Sequence, residues 1–95
     1  MMINDNGLIG RVVLARAGRD KGKIFVVVGQ LDHEYVLIAN GTNRSVEKPK
    51  KKKLKHVELR PEYLDNIREK LLKGQMILDA EIRKSLESLG ILENG

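Results

Sequence analysis

Apolar positions in the first half of the chain fall into short β-branched runs, Leu8–Arg16, Lys23–Gly29 and Glu34–Ala39, divided by polar or glycine-rich breaks. Runs of this length between turn residues predict a small antiparallel sheet or barrel. The first two are joined by Ala17-Gly18-Arg19-Asp20-Lys21-Gly22, whose two glycines permit a tight exposed turn. Asn40-Gly41 predicts a type I′ hairpin, because both residues tolerate positive φ, and a short fourth strand over Thr42–Val46. A fifth strand around Lys55–Leu59 would close the sheet.

Ile24, Phe25, Val26, Val27 and Val28 are consecutively apolar, so their strand needs cover on both faces. That cover is expected from the segment after Arg60-Pro61. Proline suits a first helical turn, and Leu64, Ile67 and Leu71 recur at three- and four-residue intervals before Gly74 offers a stop. A second helix is predicted with Asp79 as N-cap, Ile82, Leu86 and Leu89 on one face, and Gly90 at its end. The fold class is mostly β with an α tail: a barrel domain over residues 1–60, then one or two helices over 61–95 that pack on it or extend from it.

At 95 residues, with 41% hydrophobic and 33% charged residues, the chain reads as globular with one modest core. Phe25, Tyr35 and Tyr63 are the only aromatics, so base-stacking platforms are scarce and phosphate contact is the better expectation for any nucleic-acid partner. Cysteine is absent, which excludes disulfides and thiolate chemistry. The N-terminal residues lack the pattern of a signal peptide and no apolar run has membrane-spanning length. A cytoplasmic protein with no membrane partner is expected.

Charge divides unevenly. Residues 44–60 carry eight Lys/Arg against two Asp/Glu, a net +6, whereas residues 1–43 carry +1 and residues 61–95 carry −2. A field this concentrated attracts polyanions. Two features lie in or beside it. In Gly18-Arg19-Asp20-Lys21-Gly22-Lys23, charged side chains and exposed amides beside glycine can grip phosphate, although the same spacing fits an ordinary polar hairpin turn. The tract Lys50-Lys51-Lys52-Lys53-Leu54-Lys55, introduced by Lys48-Pro49, repels itself unless a phosphate partner relieves it. A disordered basic loop or a nuclear-localisation patch are its other readings. Lysines act as point charges, so little base reading is expected from them.

The stretch Val12-Val13-Leu14-Ala15-Arg16-Ala17-Gly18-Arg19-Asp20-Lys21-Gly22-Lys23-Ile24-Phe25-Val26-Val27 resembles a KOW motif, in which a G-x-D-K-G-K loop lies between two barrel strands. With Tyr35-Val36-Leu37-Ile38-Ala39 and Lys48-Pro49-Lys50-Lys51-Lys52-Lys53-Leu54-Lys55-His56, roughly residues 8–59 are similar to the ribosomal protein fourteen-e family of archaeal and eukaryotic large subunits. That resemblance implies a small five-stranded barrel of the Src-homology-3 type that contacts ribosomal RNA. Phe25 stands where many KOW motifs have a small residue. The sequence after Arg60 is more similar to the short helical tails of bacterial KOW-domain proteins, implying a bacterial relative. The RNA-contacting set is then Arg16, Gly18, Arg19, Lys21, Gly22 and Lys23 in the loop, Arg44 and Lys48 ahead of the tract, and Lys50, Lys51, Lys52, Lys53 and Lys55 within it.

His33 and His56 stand apart, with no spacing that suggests a metal. Asp32 and Glu34 flank His33, but acidic residues are common in turns for conformational reasons. No P-loop or dinucleotide fingerprint is present. The expectation is therefore no enzyme, no metal and no cofactor, with structured RNA, ribosomal RNA first, as partner, and ribosomal proteins or a translation factor beside it. The alternative is a protein-interaction module that docks on a transcription or translation factor through its apolar tail.

Overall fold

A computed structural model describes residues 7–90 of the protein. Five strands, β1 (Arg11–Ala15), β2 (Ile24–Gln30), β3 (Tyr35–Ala39), β4 (Lys50–Lys53) and β5 (Val57–Tyr63), form one antiparallel sheet in the order β4-β3-β2-β1-β5. A 3-10 turn at Leu54–His56 carries β4 directly into β5. Two helices follow, α1 (Asp65–Leu72) and α2 (Asp79–Ser88). The sheet is the small barrel-like fold of the Src-homology-3 type that the KOW resemblance implies, followed by a helical tail.

The consecutive apolar run in β2 finds cover on both sides, as expected. Phe25 and Val27 point inward with Val13, Ala15, Val36, Ile38 and Val57 to form the barrel interior. Ile24 and Val26 point outward with Val12 and Ala39 against Ile67, Ile82 and Leu86 of the helices. The period of two along each strand thus feeds two cores instead of one core and solvent. Phe25, the departure from the usual small KOW residue, is fully buried in the inner one.

Several boundaries differ from the sequence expectation. Residues 42–46 form turns, and the fourth strand is the lysine tract itself, paired with β3 in the register Val36↔Lys52 and Ile38↔Lys50. Lysine is depleted in strands, so pattern alone favours a loop there; pairing with the buried β3 overrides the propensity. Gly41 has φ +80 but Asn40 has no positive φ, so the type I′ hairpin does not form. Pro61 lies in β5 and not in a first helical turn. It falls in the interval between Leu59, opposite Val13, and Tyr63, opposite Arg11, where the β1 register shifts and the missing N–H costs no ladder bond. β5 therefore runs across the division expected between residues 60 and 61. Leu64 becomes the N-cap residue of α1, and Gly74 and Gly90, both with positive φ, follow the two helix ends.

Asp79 does not cap α2. Leu78 is the N-cap residue, its backbone N–H donating to Glu81 Oε1 at 3.1 Å, and Asp79 Oδ1 instead accepts from the Val46 backbone N–H at 2.7 Å. Arg83 donates to the Gly41 carbonyl at 2.7 Å. The first turn of α2 is therefore docked on the β3–β4 connection, and Lys70 and Glu81 pair at 2.5 Å between the two helices.

Candidate nucleic-acid interface

The loop between β1 and β2 is closed by its own backbone. The Ala15 N–H donates to the Lys23 carbonyl at 3.0 Å and the Gly22 N–H to the Ala15 carbonyl at 2.8 Å, while the Lys23 N–H reaches back to the Asp20 carbonyl at 2.9 Å. Gly22 has φ +89, and a Cβ there would meet nothing within 4 Å, so the backbone conformation and not space calls for glycine. Arg16, Gly18, Arg19, Lys21 and Gly22 are exposed and Lys23 is half-buried. Asp20 turns the other way and is only 5% exposed.

Asp20 is what joins the loop to the lysine tract. Its Oδ2 lies 3.4 Å from Lys50 Nζ and 3.8 Å from Arg44 Nε. Beside it, Lys52 Nζ donates to the Ala17 carbonyl at 2.8 Å. Lys50 and Lys52 share the β4 face that Val36 and Ile38 present to the barrel interior, so their aliphatic stems cover apolar surface and their ammonium groups emerge under the loop. Lys52 is 7% exposed and its charge is spent on the loop backbone.

The alternate lysines face outward. Lys51 Nζ lies 4.5 Å and Lys53 Nζ 5.8 Å from the centroid of the Tyr35 ring, within cation–π range. Lys51 and Lys55 are exposed and Lys53 is half-buried. Lys48 is exposed in a turn where its backbone N–H donates to Ser45 Oγ at 3.1 Å. Arg44 is held by the turn before it: Asn40 Oδ1 accepts from the N–H groups of Thr42 and Arg44, both at 3.1 Å. The helical tail anchors that same turn through Gly41 and Val46, so α2 indirectly sets where Arg44 stands.

The thirteen expected residues thus divide three ways. Arg16, Gly18, Arg19, Lys21, Gly22 and Lys23 belong to the loop, and Arg44 and Lys50 are drawn under it by Asp20. Lys48, Lys51, Lys53 and Lys55 lie on or beside the outward face of the tract, while Lys52 is turned in. Sequence reasoning missed Asp20 as the organiser and Tyr35 as the ring under the lysines. A lone carboxylate inside a basic loop was the available signal for the first; the second depends on strand register.

A small antiparallel barrel with a G-x-D-K-G-K loop folded against a basic strand defines a KOW-domain protein. No family model matches the chain. It is 31% identical over 85 residues to large ribosomal subunit protein eL14 of Hyperthermus butylicus, covering 90% of this chain and 80% of the relative. It is equally 31% identical over 85 residues to eL14 of Pyrobaculum calidifontis, covering 90% of this chain and 76% of that relative. The chain belongs to the family of large ribosomal subunit protein eL14. The matched length exceeds the barrel, so the kinship reaches into the helical tail.

Proposed function

We propose that the protein binds ribosomal RNA as a ribosome-associated, non-catalytic component of the cytoplasm, holding phosphates with the KOW loop and the basic strand. The observation that carries this reading is the apposition of loop and tract: Asp20 of the loop pairs with Arg44 and Lys50 of the net +6 segment, and Lys52 donates to the Ala17 carbonyl at the start of the loop that carries Arg19, Lys21 and Lys23. Pinned cations lose less side-chain freedom on meeting a phosphate than free ones do. The names of its relatives support the ribosome as the setting, with ribosomal proteins as neighbours. On an edge strand, lysines also disfavour pairing with another chain, a structural benefit compatible with this role.

The alternative, docking on a translation or transcription factor through the apolar tail, would have to use Leu72, Met76 and Leu78, which remain exposed there. Ile67, Ile82 and Leu86 are buried against the barrel. Among the described residues no helix is long and apolar enough to cross a membrane.

Replacing Arg19, Lys21 and Lys23 together with Ala tests the loop. Surface changes of this kind cost within about 0.5 kcal/mol each, so thermal unfolding should be nearly unchanged. Affinity for structured RNA should fall at least tenfold, with the logarithmic salt slope flattening by up to about one unit per lost phosphate contact. RNA affinity equal to wild type would remove the loop from the interface. Lys52→Met, by contrast, should leave the salt slope unaltered, since Lys52 Nζ is already held by Ala17.

A further inference from the structure

The outward face of the tract borders a cleft that Lys53 and Lys55 share with the basic surface. Its walls are His33 and Glu34 from the β2–β3 turn and Lys53, Leu54 and Lys55 from the end of β4 and the 3-10 turn, and the half-open space between them is about 270 Å³. Both walls are fixed. Asp32 Oδ1 accepts from the backbone N–H groups of Glu34 at 2.8 Å and Tyr35 at 2.9 Å, closing the turn, and these bonds hold the Asp32 carboxyl below its ordinary range. The Leu54 N–H donates to the Glu34 carbonyl at 2.8 Å and ties one wall to the other. The cleft is thus formed before any ligand arrives, as small-ligand sites usually are.

Its lining combines apolar, cationic and acceptor groups. Leu54 offers apolar surface for the face of a base, and His33 adds a flat ring. Lys53 and Lys55 supply donors for a phosphate or a base carbonyl, and they outnumber Glu34, so an anionic ligand is favoured. The volume suits one nucleotide, not a duplex. Ionised Glu34 is an acceptor only and is best matched by two adjacent donors. Among the RNA bases, guanine presents such a pair on its Watson–Crick edge, N1–H and N2–H₂, next to an O6 acceptor that a lysine can satisfy.

We propose that this cleft is a base-selective second site that takes one unpaired guanine nucleotide of the bound RNA, Glu34 accepting from N1–H and N2–H₂ and the Lys53 and Lys55 ammonium groups meeting O6 and phosphate. The inference rests on the RNA-binding reading and adds selectivity to it. Continuity supports it, because Lys53 belongs both to the basic strand and to the cleft wall.

The test compares a fully paired RNA hairpin with the same hairpin carrying one unpaired G, A, C or U, bound to the full chain and to its Glu34→Gln variant. Glu34 is exposed, so the variant should fold. Wild type should favour the unpaired-G hairpin over the paired one by about tenfold, the scale of a good bidentate base contact. Glu34→Gln should lose that preference while binding the paired hairpin at least as well, since removing a negative charge favours every RNA alike. Equal wild-type affinity for all four unpaired bases would overturn the proposal while leaving phosphate binding intact, as would an unchanged G preference in Glu34→Gln. Failure of wild type to bind any of the hairpins would overturn the RNA-binding reading itself.

Discussion

Ile67→Asp is expected to lower the free energy of unfolding by about 3–5 kcal/mol, the range for burying an unpaired carboxylate in an apolar site. Ile67 is fully buried in α1 and packs in the cluster that Val12, Ile24 and Val26 present from the outer face of the sheet. No cation of that cluster is available to pair with a new carboxylate, because every member is aliphatic. A domain of this size has a total stability of roughly 5–15 kcal/mol, so the variant should unfold at markedly lower urea or temperature. Met76→Asp serves as the control: Met76 is 82% exposed in the connection between the helices and should tolerate the charge. Equal stability of the two variants would mean that α1 does not dock on the barrel.

Gly41→Ala should cost about 2–4 kcal/mol, more than the roughly 1–2 kcal/mol of forcing an ordinary residue into left-handed backbone. The extra cost is steric. A Cβ at Gly41 would lie 2.4 Å from the Asp79 carbonyl oxygen and 3.2 Å from the Arg83 backbone nitrogen, both parts of α2 that cannot swing aside as a side chain would. Gly22→Ala provides the contrast, because Gly22 has the same sign of φ and open space around it. Chemical denaturation of both should show Gly41→Ala the more destabilised by at least about 1 kcal/mol. Gly41→Ala should also weaken RNA binding, since displacing α2 disturbs the turn that places Arg44 beside Asp20. Equal destabilisation of the two would contradict the close docking of α2.

The contrast between those glycines marks what was legible in the sequence. The loop was readable because G-x-D-K-G-K carries its geometry locally, in two glycines and a hairpin span. The burial of both faces of β2 was readable because five apolar residues in succession leave no polar face. The tail helices were readable in type but not in start, because Pro61, a helix-opening signal, was taken up by a strand at a register shift. The lysine tract was the hardest. Nothing local makes Lys50–Lys53 a strand; pairing with Tyr35–Ala39 does, and that pairing also sorts the lysines, turning Lys50 and Lys52 toward the loop and Lys51 and Lys53 toward Tyr35. Asp79 was misassigned for a related reason. An acidic residue at a helix start satisfies an N–H, but here the N–H belongs to Val46, far away in sequence.

Gathering loop and strand into one phosphate-binding surface is tested most directly by co-sedimentation of the protein with large ribosomal subunits and with protein-free ribosomal RNA over a salt series. If five or six phosphates are held, binding to both should weaken by roughly two to three orders of magnitude between about 50 and 200 mM monovalent salt. Variants lacking Arg19, Lys21 and Lys23 should follow a flatter slope. Binding to subunits that persists at high salt and survives ribonuclease treatment, with no affinity for the free RNA, would contradict the account and assign the contact to a protein.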